Sequence, residues 1–315
     1  MEKVRVGIIG IGGMGSSHAG RLHKGEAPDG VLTAVCDIDS ARLDWAKENL
    51  GDDVKRYDDA EDLVKSGECD AVVIATPHYD HPPLAILAMQ NGLHALVEKP
   101  AGVYTKQVKE MNACAEETGQ ILGIMFNQRT DRRYQKVRDL VQNGELGEIF
   151  RINWLITNWF RTEAYYRSGG WRATWAGEGG GVLMNQCPHN IDLWQWMFGM
   201  PSRIRASCYF GKYHDIEVED DVTAYMEYEN GATGAFITTT GESPGTNRLE
   251  VSGERGKIVV EAGKVVFHRT RVEVSEFRST SPERFANPER WTCEIPIHGH
   301  GEQHIGIHKD FHKAI

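Results

Sequence analysis

Apolar and polar positions divide the chain into two parts with different periodicities. In the first part, short apolar runs alternate with longer stretches of helical character. Short, fully apolar runs are typical of strands that are buried on both faces of a parallel sheet. The predicted strands are 4–9, 31–37, 70–75, 93–97 and 121–125, and the predicted helices are 14–24, 41–50, 83–91 and 106–118. This alternation predicts an α/β domain at residues 1–126, built as a doubly wound parallel sheet with helices on its faces.

The pattern changes beyond residue 126. Residues 131–141 and 183–198 are predicted helices, and beyond residue 200 apolar and polar residues alternate as in strands with one exposed face. Hairpin turns are predicted at Asn230-Gly231 and Ala262-Gly263. We therefore expect residues 127–315 to form an α+β domain with a large, mostly antiparallel open sheet. Its last predicted helix has no glycine or proline stop, which suggests truncation at the C-terminal end.

The junction between the first strand and the first helix has the sequence Gly10-x-Gly12-x-x-Gly15. Gly10 permits a tight turn, Gly12 lets a pyrophosphate approach the backbone, and Gly15 lets the helix lie close to the sheet. The helix begins near Gly13 and Met14, so its unpaired N–H groups point toward the phosphates. In this strand–turn–helix context, the motif predicts a dinucleotide-binding Rossmann domain.

The choice of cofactor depends on the residue that ends the second strand. Asp37 follows Gly15 by about 20 positions, the spacing at which a carboxylate binds the hydroxyls of the adenosine ribose. A carboxylate also repels the 2′-phosphate of NADP, and the next residue is Ile38 rather than an arginine. We predict NAD, with NADP disfavoured, although Arg42 is close enough in sequence to weaken that preference.

Composition limits the classes of partner. The chain has 315 residues and a formal net charge of −10, and its basic residues are scattered. This charge distribution argues against nucleic acid or an anionic membrane as a main partner. No apolar run is long enough to span a bilayer, and no leader segment precedes the first strand. The six cysteines include no C-x-x-C pair, which favours free thiols and a cytoplasmic location.

Three further segments carry a family resemblance. Thr76-Pro77 with His81 follows the third predicted strand, and Glu98-Lys99-Pro100 follows the fourth. The third segment runs from Gly179 to Asp192 with the sequence GGGVLMNQCPHNID. Together with the glycine motif, and in this order, these segments resemble the glucose–fructose oxidoreductase / inositol dehydrogenase / rhizopine-catabolism (GFO/IDH/MocA) family of NAD(P)-dependent oxidoreductases.

The resemblance implies a function and a set of residues. It implies hydride transfer between NAD and a ring alcohol of a sugar, sugar derivative or cyclitol, hence a carbohydrate or polyol substrate. It also implies a cis peptide bond before Pro100 and a homodimer or homotetramer. The free face of the open sheet is the expected contact surface, because such a face needs a cover. Outside the glycine loop, the resemblance implies that the cofactor is bound by Thr76, Pro77, His81, Glu98 and Lys99.

Oxidation of an alcohol also needs a group that takes the hydroxyl proton. Lys99 can stabilise alkoxide charge and, where desolvated, transfer the proton. His189 has a suitable intrinsic pKa, and Asn185 stands four positions before it, which predicts one helix face for both. The family commonly has aspartate at the Asn185 position. Because asparagine cannot exchange a proton, Lys99 and His189 carry more of the chemistry, and Asp192 is a candidate ligand for a substrate hydroxyl.

Aromatic residues are concentrated in the second part of the chain. Six of the eight tryptophans lie between residues 154 and 196. Such rings either fill a core or stack on the C–H face of a sugar ring. For the segment 165–175 we predict a substrate-lining role that includes Tyr165, Trp171 and Trp175.

The last segment contains four histidines at intervals of four, from His300 to His312. On a continuous helix they would form one stripe, as in some metal sites. Glycines at positions 299, 301 and 306 disfavour such a helix, so we predict no metal site.

Two other functions remain open. One is an NAD-recycling enzyme that cleaves or epimerises a glycoside, and the other is a non-catalytic, dinucleotide-sensing regulator on the same fold. Lys99 and His189 favour an enzyme, whereas Asn185 favours the regulator slightly.

Overall fold

The computed structural model describes residues 2–315, which form two compact units. The first unit contains the chain up to Asn127, together with Ala176–Gly179 and Glu302–Ile315. The second unit contains Gln128–Trp175 and Gly180–Gly301. Two short segments from later in the chain therefore belong to the unit that the sequence predicted to end near residue 126.

The first unit is an α/β unit. Its strands are β1 (Val4–Ile9), β2 (Gly30–Cys36), β3 (Lys55–Tyr57), β4 (Ala71–Ile74), β5 (His94–Val97) and β6 (Leu122–Ile124). Its helices up to Asn127 are α1 (Gly13–His23), α2 (Ser40–Leu50), α3 (Ala60–Lys65), α4 (His81–Gln90) and α5 (Thr105–Thr118). The apolar pattern does not predict β3 and α3, which are too short to show a clear periodicity.

The strands form one parallel sheet in the order β3-β2-β1-β4-β5-β6. The predicted doubly wound sheet is therefore confirmed. Every residue of β4 is buried, as its uninterrupted apolar sequence predicts. The strand order reverses between β1 and β4. Ligands of such sheets bind at this switch point, beyond the carboxyl ends of the strands.

The second unit is an α+β unit. Its elements in chain order are α6 (Arg132–Gln142), β7 (Ile149–Ile156), α7 (Glu163–Arg167), α8 (Pro188–Phe198), β8 (Arg203–Phe210), β9 (Glu219–Glu227), β10 (Thr233–Thr239), β11 (Asn247–Gly253), β12 (Gly256–Glu261), β13 (Lys264–Thr270), α9 (Val274–Thr280) and β14 (Arg290–Ile295). The sheet order is β14-β13-β12-β11-β7-β10-β9-β8, and among the described strands of this second sheet only β7 and β10 pair in parallel. The predicted open, mostly antiparallel sheet and both predicted hairpins are confirmed.

One face of this sheet forms the core of the second unit. Trp154 of β7 lies opposite Phe236 of β10, and both pack in a cluster with Trp194 of α8 and Tyr134 of α6. The alternation of the strands places their other side chains on the opposite face, where Ile237 is exposed. The helices thus cover one side of the sheet, as predicted.

The last helix, α10 (Gln303–Ala314), belongs to the first unit. Phe311 is buried in the same apolar cluster as Val6 and Leu96, and His312 lies against Gly30 of β2. The sequence analysis had placed this segment in the second domain. Chain order alone could not reveal that these apolar side chains return to the parallel sheet. The helix also continues through Gly306, contrary to the expectation that the glycines there would disfavour it.

All six cysteines are free thiols, and four of them are buried. Among residues 2–315, no helix has both the length and the apolar character that a bilayer crossing requires. The cytoplasmic location stays a prediction.

Candidate functional site

The glycine loop between β1 and α1 has the geometry that the motif predicts. Gly10 has a φ of +84°, and a Cβ there would lie 2.9 Å from the backbone nitrogen of Thr76. A Cβ on Gly15 would lie 1.8 Å from the carbonyl oxygen of Gly10, so only glycine allows this helix to begin so close to the strand. At Gly12 and Gly13, a Cβ would meet no heavy atom within 4 Å. The loop is therefore closed toward the sheet and open on its other side.

Asp37 lies at the end of β2 and contacts this loop. One carboxylate oxygen accepts a hydrogen bond from the backbone N–H of Ile11 at 2.8 Å, and the other accepts one from Asp39 at 3.0 Å. The carboxylate is therefore fixed beside the glycine loop, as a ligand of the ribose hydroxyls needs to be. Met14 is exposed in the first turn of α1.

The loop after β4 contains a predicted residue whose role differs from the prediction. His81 is buried, with Nδ1 2.7 Å from the carbonyl oxygen of Pro100 and Nε2 2.9 Å from that of Thr76. Burial lowers the pKa of this imidazole, although both carbonyls favour its charged form. His81 was predicted to bind the cofactor. Because both of its nitrogens are engaged by backbone, it instead links the loop after β4 to the loop after β5.

Next to His81, Thr76 borders the glycine loop, while Pro77 is exposed. Thr76 contacts Gly10, and its buried hydroxyl has no hydrogen-bond partner among residues 2–315. A donor and acceptor at this position suits the polar part of a dinucleotide. Together with the open side of Gly12 and the fixed carboxylate of Asp37, this hydroxyl fits a dinucleotide at the switch point of the sheet.

The loop after β5 carries the Glu98-Lys99-Pro100 motif, and its Lys99–Pro100 peptide bond is cis, as the resemblance implied. Glu98 is buried, and its two oxygens have different partners. Oε1 lies 2.9 Å from Nε2 of His18 on α1, and Oε2 accepts the backbone N–H of Lys99 at 3.1 Å. Burial alone would raise the pKa of Glu98, but the hydrogen bond from His18 and the charges of His18 and Lys99 lower it overall. Glu98 therefore stays ionised and acts on Lys99 through the backbone.

In the second unit, the segment that contains Asn185 is a set of turns rather than a helix. Helix α8 begins at Pro188, so the predicted start at 183 is wrong. Proline at the first helical position has no N–H to pair with a preceding turn, which favours a helix start there. Asn185 precedes α8, while His189 lies in its first turn. Asn185 and His189 therefore do not share one helix face, contrary to the prediction from their spacing.

A buried carboxylate holds these turns in place. Glu219 at the start of β9 accepts hydrogen bonds from the backbone N–H groups of Gly181 at 2.9 Å and Leu183 at 3.0 Å. Its own carbonyl accepts the N–H of Val182. Gly181 also lies so close to Glu219 that a Cβ would be 1.9 Å from its carbonyl oxygen. The position of Asn185 thus depends on a residue 34 positions later, which the sequence analysis did not identify.

Tyr165 is the centre of a polar cluster around Asn185. Its hydroxyl accepts hydrogen bonds from Arg172 at 3.0 Å, Gln186 at 3.2 Å and Asn185 at 3.4 Å. The guanidinium of Arg172 also lies over the ring of Tyr165 at 4.8 Å and over that of Trp171 at 4.6 Å. The structure thus brings together three of the predicted substrate-binding residues.

Asp192 and Trp175 have other surroundings. Asp192 is buried in α8 and binds Arg129 through both oxygens, at 2.7 and 2.6 Å. This bidentate pair is the arrangement expected of a structural ion pair rather than of a ligand for hydroxyls. Trp175 is 47% exposed, and its ring lies 5.9 Å from that of Phe210. It lines an exposed surface of the second unit rather than the cluster around Tyr165.

Among the described residues, no group of three or more histidine, cysteine or acidic side chains is arranged to hold a metal ion. His304, His308 and His312 do lie on one helix, at intervals of one turn. His308 instead contacts His18, a residue that the sequence analysis also missed. The sequence carries no short-range signal for the contacts of His18, because its two partners lie 80 and 290 positions away.

Lys99, Glu98 and the glycine loop belong to the first unit, whereas Asn185, His189 and Tyr165 belong to the second.

Comparison with known proteins gives matches to two family models. Residues 4–126 match a model described as oxidoreductase family, NAD-binding Rossmann fold. Residues 134–259 match the GFO/IDH/MocA C-terminal domain. The two matches account for most of the chain and meet near the boundary between the two units.

Individual relatives have different activities in their names. The myo-inositol 2-dehydrogenase of Thermotoga maritima is 26% identical over 82% of this chain and 75% of that protein. A glycosyl hydrolase family 109 protein of a Shewanella species is 32% identical, over 56% of this chain and 40% of that protein. The crystal structure of the WlbA dehydrogenase from Bordetella pertussis with NADH and UDP-GlcNAcA superposes with a TM-score of 0.78. It is 28% identical and covers 83% of this chain and 79% of that one.

Proposed function

Because the chain belongs to the GFO/IDH/MocA family of oxidoreductases and has its NAD-binding Rossmann fold, we propose that it oxidises a ring secondary alcohol of a sugar, sugar derivative or cyclitol. The observation that carries the proposal is the position of Lys99. It is the second residue after β5, at the carboxyl edge of the sheet that holds the glycine loop, and its backbone is fixed by Glu98. Bound NAD supplies the hydride acceptor.

The protein residues would manage the proton and the orientation of the substrate. The ammonium group of Lys99 hydrogen-bonds the substrate oxygen and stabilises the alkoxide charge that develops as hydride leaves. His189 accepts the hydroxyl proton as a general base. Asn185, tied to Tyr165, orients a neighbouring hydroxyl through its amide. Asp192 is bound to Arg129, so we assign it to positioning α8.

The compounds in the names of two relatives are polar rings, which supports a polyol substrate. One relative is named for myo-inositol, and another structure holds a nucleotide-linked sugar acid. In this chain, the cluster of Tyr165, Trp171 and Arg172 offers aromatic faces together with hydroxyl and cationic donors. Such a surface suits the C–H face and the hydroxyls of a ring.

The experiment is an absorbance screen for NADH formation with inositols, sugars and sugar acids. The substrate found there is then tested with Lys99→Met and with Lys106→Met, a matched control on the exposed start of α5. We expect turnover by Lys99→Met to fall by about 10²–10⁴-fold, the usual contribution of a positioned proton-transfer group, and that of Lys106→Met to stay unchanged. Full activity in Lys99→Met would contradict the proposal. Binding of NAD without reduction by any compound would favour the regulator.

The cofactor preference can be tested separately. Asp37→Asn keeps the size of the side chain but removes the charge that repels a 2′-phosphate. We expect the preference for NAD over NADP to fall about 10- to 100-fold, as for the loss of a hydrogen bond to a charged group. An unchanged preference would show that another residue selects the cofactor.

A second candidate function is NAD-recycling cleavage or epimerisation of a glycoside. The observation that favours it is the 32% identity to a glycosyl hydrolase family 109 protein. In that reaction the cofactor is reduced and reoxidised in each turnover, so NADH does not accumulate. Net NADH formation in proportion to product would exclude it.

We also propose that the chain forms a homodimer or homotetramer through the free face of the second sheet. Every residue of the edge strand β8 is exposed, and Tyr209, Tyr225 and Ile237 add apolar surface on the free face of β8, β9 and β10. Exposed apolar surface of this extent on a sheet favours association. Light scattering after size-exclusion chromatography should show an oligomer that Tyr225→Lys with Ile237→Lys converts to a monomer. A monomeric natural chain would contradict it.

A further inference from the structure

A buried chain of hydrogen bonds runs through the first unit, from the loop after β5 to α10. Its members are Glu98, His18 on α1 and His308 on α10. Nε2 of His18 lies 2.9 Å from Glu98 Oε1, and Nε2 of His308 lies 3.0 Å from Nδ1 of His18. The three residues are 5%, 1% and 0% exposed, respectively. Three elements that are distant in sequence are therefore joined by polar side chains inside an apolar core.

The carboxylate sets the direction of the chain. An ionised Glu98 can only accept hydrogen bonds, so His18 donates to it from Nε2. When His18 is neutral, its Nδ1 then accepts, and His308 donates to it from Nε2. Nδ1 of His308 is buried and has no hydrogen-bond partner among residues 2–315. The chain thus has a fixed inner end and an open outer end.

The inner end reaches Lys99. The second oxygen of Glu98 accepts the backbone N–H of Lys99, so a shift of Glu98 shifts the lysine. His18 also lies on the helix that begins at the glycine loop. The chain therefore connects the residue proposed to handle the proton with the helix proposed to hold the cofactor.

The surroundings of the chain keep His308 neutral and Glu98 ionised. Burial lowers the pKa of His308 well below its usual value, and a charged His18 would lower it further. The pKa of Glu98 is also lowered, as described above. The other titratable or charged groups that face the chain are His304 and His312 from α10, Arg21 from α1 and Lys99 from the loop after β5.

We propose that His18 and His308 are positioning residues for Lys99: by ordering Glu98, they fix the backbone from which the lysine side chain extends. This inference rests on the proposed function, in which Lys99 handles the proton. It assigns a functional role to the last helix of the chain, which neither the motifs nor the relatives indicate.

The first test examines the chain without any substrate. Nitrogen NMR of ¹⁵N-histidine-labelled protein, at a pH where His18 is neutral, should show both His18 and His308 protonated at Nε2. Glu98→Gln should change this pattern, because a carboxamide can also donate and no longer imposes one direction. A His18 protonated at Nδ1 alone in the natural chain would overturn the proposal.

The second test asks whether the chain acts on Lys99. Competitive acetylation, read by mass spectrometry, compares the amine reactivity of Lys99 with that of exposed Lys106 on the same molecules. We expect His308→Leu to raise the relative reactivity of Lys99 about threefold, because the lysine becomes less restrained and more accessible to the reagent. His308→Gln keeps a donor near Nε2 and should restore most of the natural value.

The matched control is His312→Leu. His312 lies one turn further along α10 and is also buried, but neither of its ring nitrogens has a hydrogen-bond partner among the described residues. It should leave Lys99 reactivity unchanged. Equal effects of His312→Leu and His308→Leu, or no recovery in His308→Gln, would show general damage to the helix and overturn the proposal.

With the substrate from the screen, His308→Leu should lower kcat roughly 10- to 100-fold, as expected for a displacement of about 1 Å, and leave KM within about twofold. The two proposals can fail separately. Full turnover by Lys99→Met would reject the proposed function whatever the tautomers are. Natural kcat in His308→Leu, with Lys99→Met inactive, would reject only the positioning role.

Discussion

Each unit buries a histidine against a carboxylate, and the two pairs differ in how they end. In the second unit, Nδ1 of His214 lies 3.1 Å from Asp220, and its Nε2 lies 2.9 Å from the carbonyl oxygen of Arg161. Asp220 also accepts the backbone N–H groups of residues 212–214. In the first unit, Glu98 accepts one backbone N–H within residues 2–315, and the chain continues through His18 to His308.

The difference separates a structural clamp from a functional candidate. Every side-chain polar atom of His214 and Asp220 is hydrogen-bonded to nearby backbone or to the other residue of the pair. This pair therefore fixes a loop and has no free polar atom that could contact a further group. In the Glu98 chain, the second carboxylate oxygen accepts the backbone N–H of Lys99, and Nδ1 of His308 has no hydrogen-bond partner among the described residues. Buried pairs with all atoms satisfied serve stability, whereas a partly satisfied network inside a core more often serves function.

The largest effect should come from breaking the clamp. Asp220→Ala leaves three backbone N–H groups and His214 without their acceptor in a buried site. We expect the free energy of unfolding to fall by about 3–5 kcal/mol, measured by urea denaturation. The exposed Asp215→Ala in the same loop is the control and should change it by less than about 0.5 kcal/mol. A small loss in Asp220→Ala would remove the contrast between the pairs.

An intermediate effect should appear in the pH dependence of stability. The pKa of His308 is lowered in the folded chain, mainly by burial, so the unfolded chain binds more protons below about pH 6.5. Its contribution is present above that pH and is lost as the pH falls toward the folded value. His308→Leu should therefore flatten the curve of unfolding free energy against pH, by up to about 1.4 kcal/mol per pH unit. Identical slopes would mean that His308 titrates normally.

The smallest effect should come from His214→Asn. The amide keeps a donor near Nδ1 for Asp220 but loses the hydrogen bond to Arg161. One lost hydrogen bond predicts about 1 kcal/mol, or a Tm lower by about 2–4 °C, at neutral pH. Catalytic turnover at a temperature well below Tm should be unchanged. A tenfold loss of kcat would place this pair, too, in the functional machinery.

Much of the fold could be predicted because it depends on local patterns. Fully apolar runs and alternating runs distinguish the parallel from the antiparallel sheet, and Gly10 requires a positive φ at the turn where the motif places it. The errors arose where a pattern was extended past its local cause. The helix predicted from residue 183 begins at Pro188, because Glu219 binds the preceding backbone into turns.

The same distinction between local and long-range causes applies to the candidate site. Gly10, Gly15 and Asp37 have the surroundings that their spacing implied. His81 does not, because two carbonyls from separate loops enclose its ring. Burial and partners of this kind depend on loops that meet only in the folded chain.

The sequence by itself determined the two fold classes, the dinucleotide loop, NAD as the cofactor and the family, since each follows from residue types at short, fixed spacings. Only the tertiary structure decided that the last helix joins the parallel sheet and that Glu98, His18 and His308 form one chain. The physical reason is distance along the chain: a contact between residues 290 positions apart leaves no periodicity, and it arises only when apolar faces pack and bring their few polar side chains together.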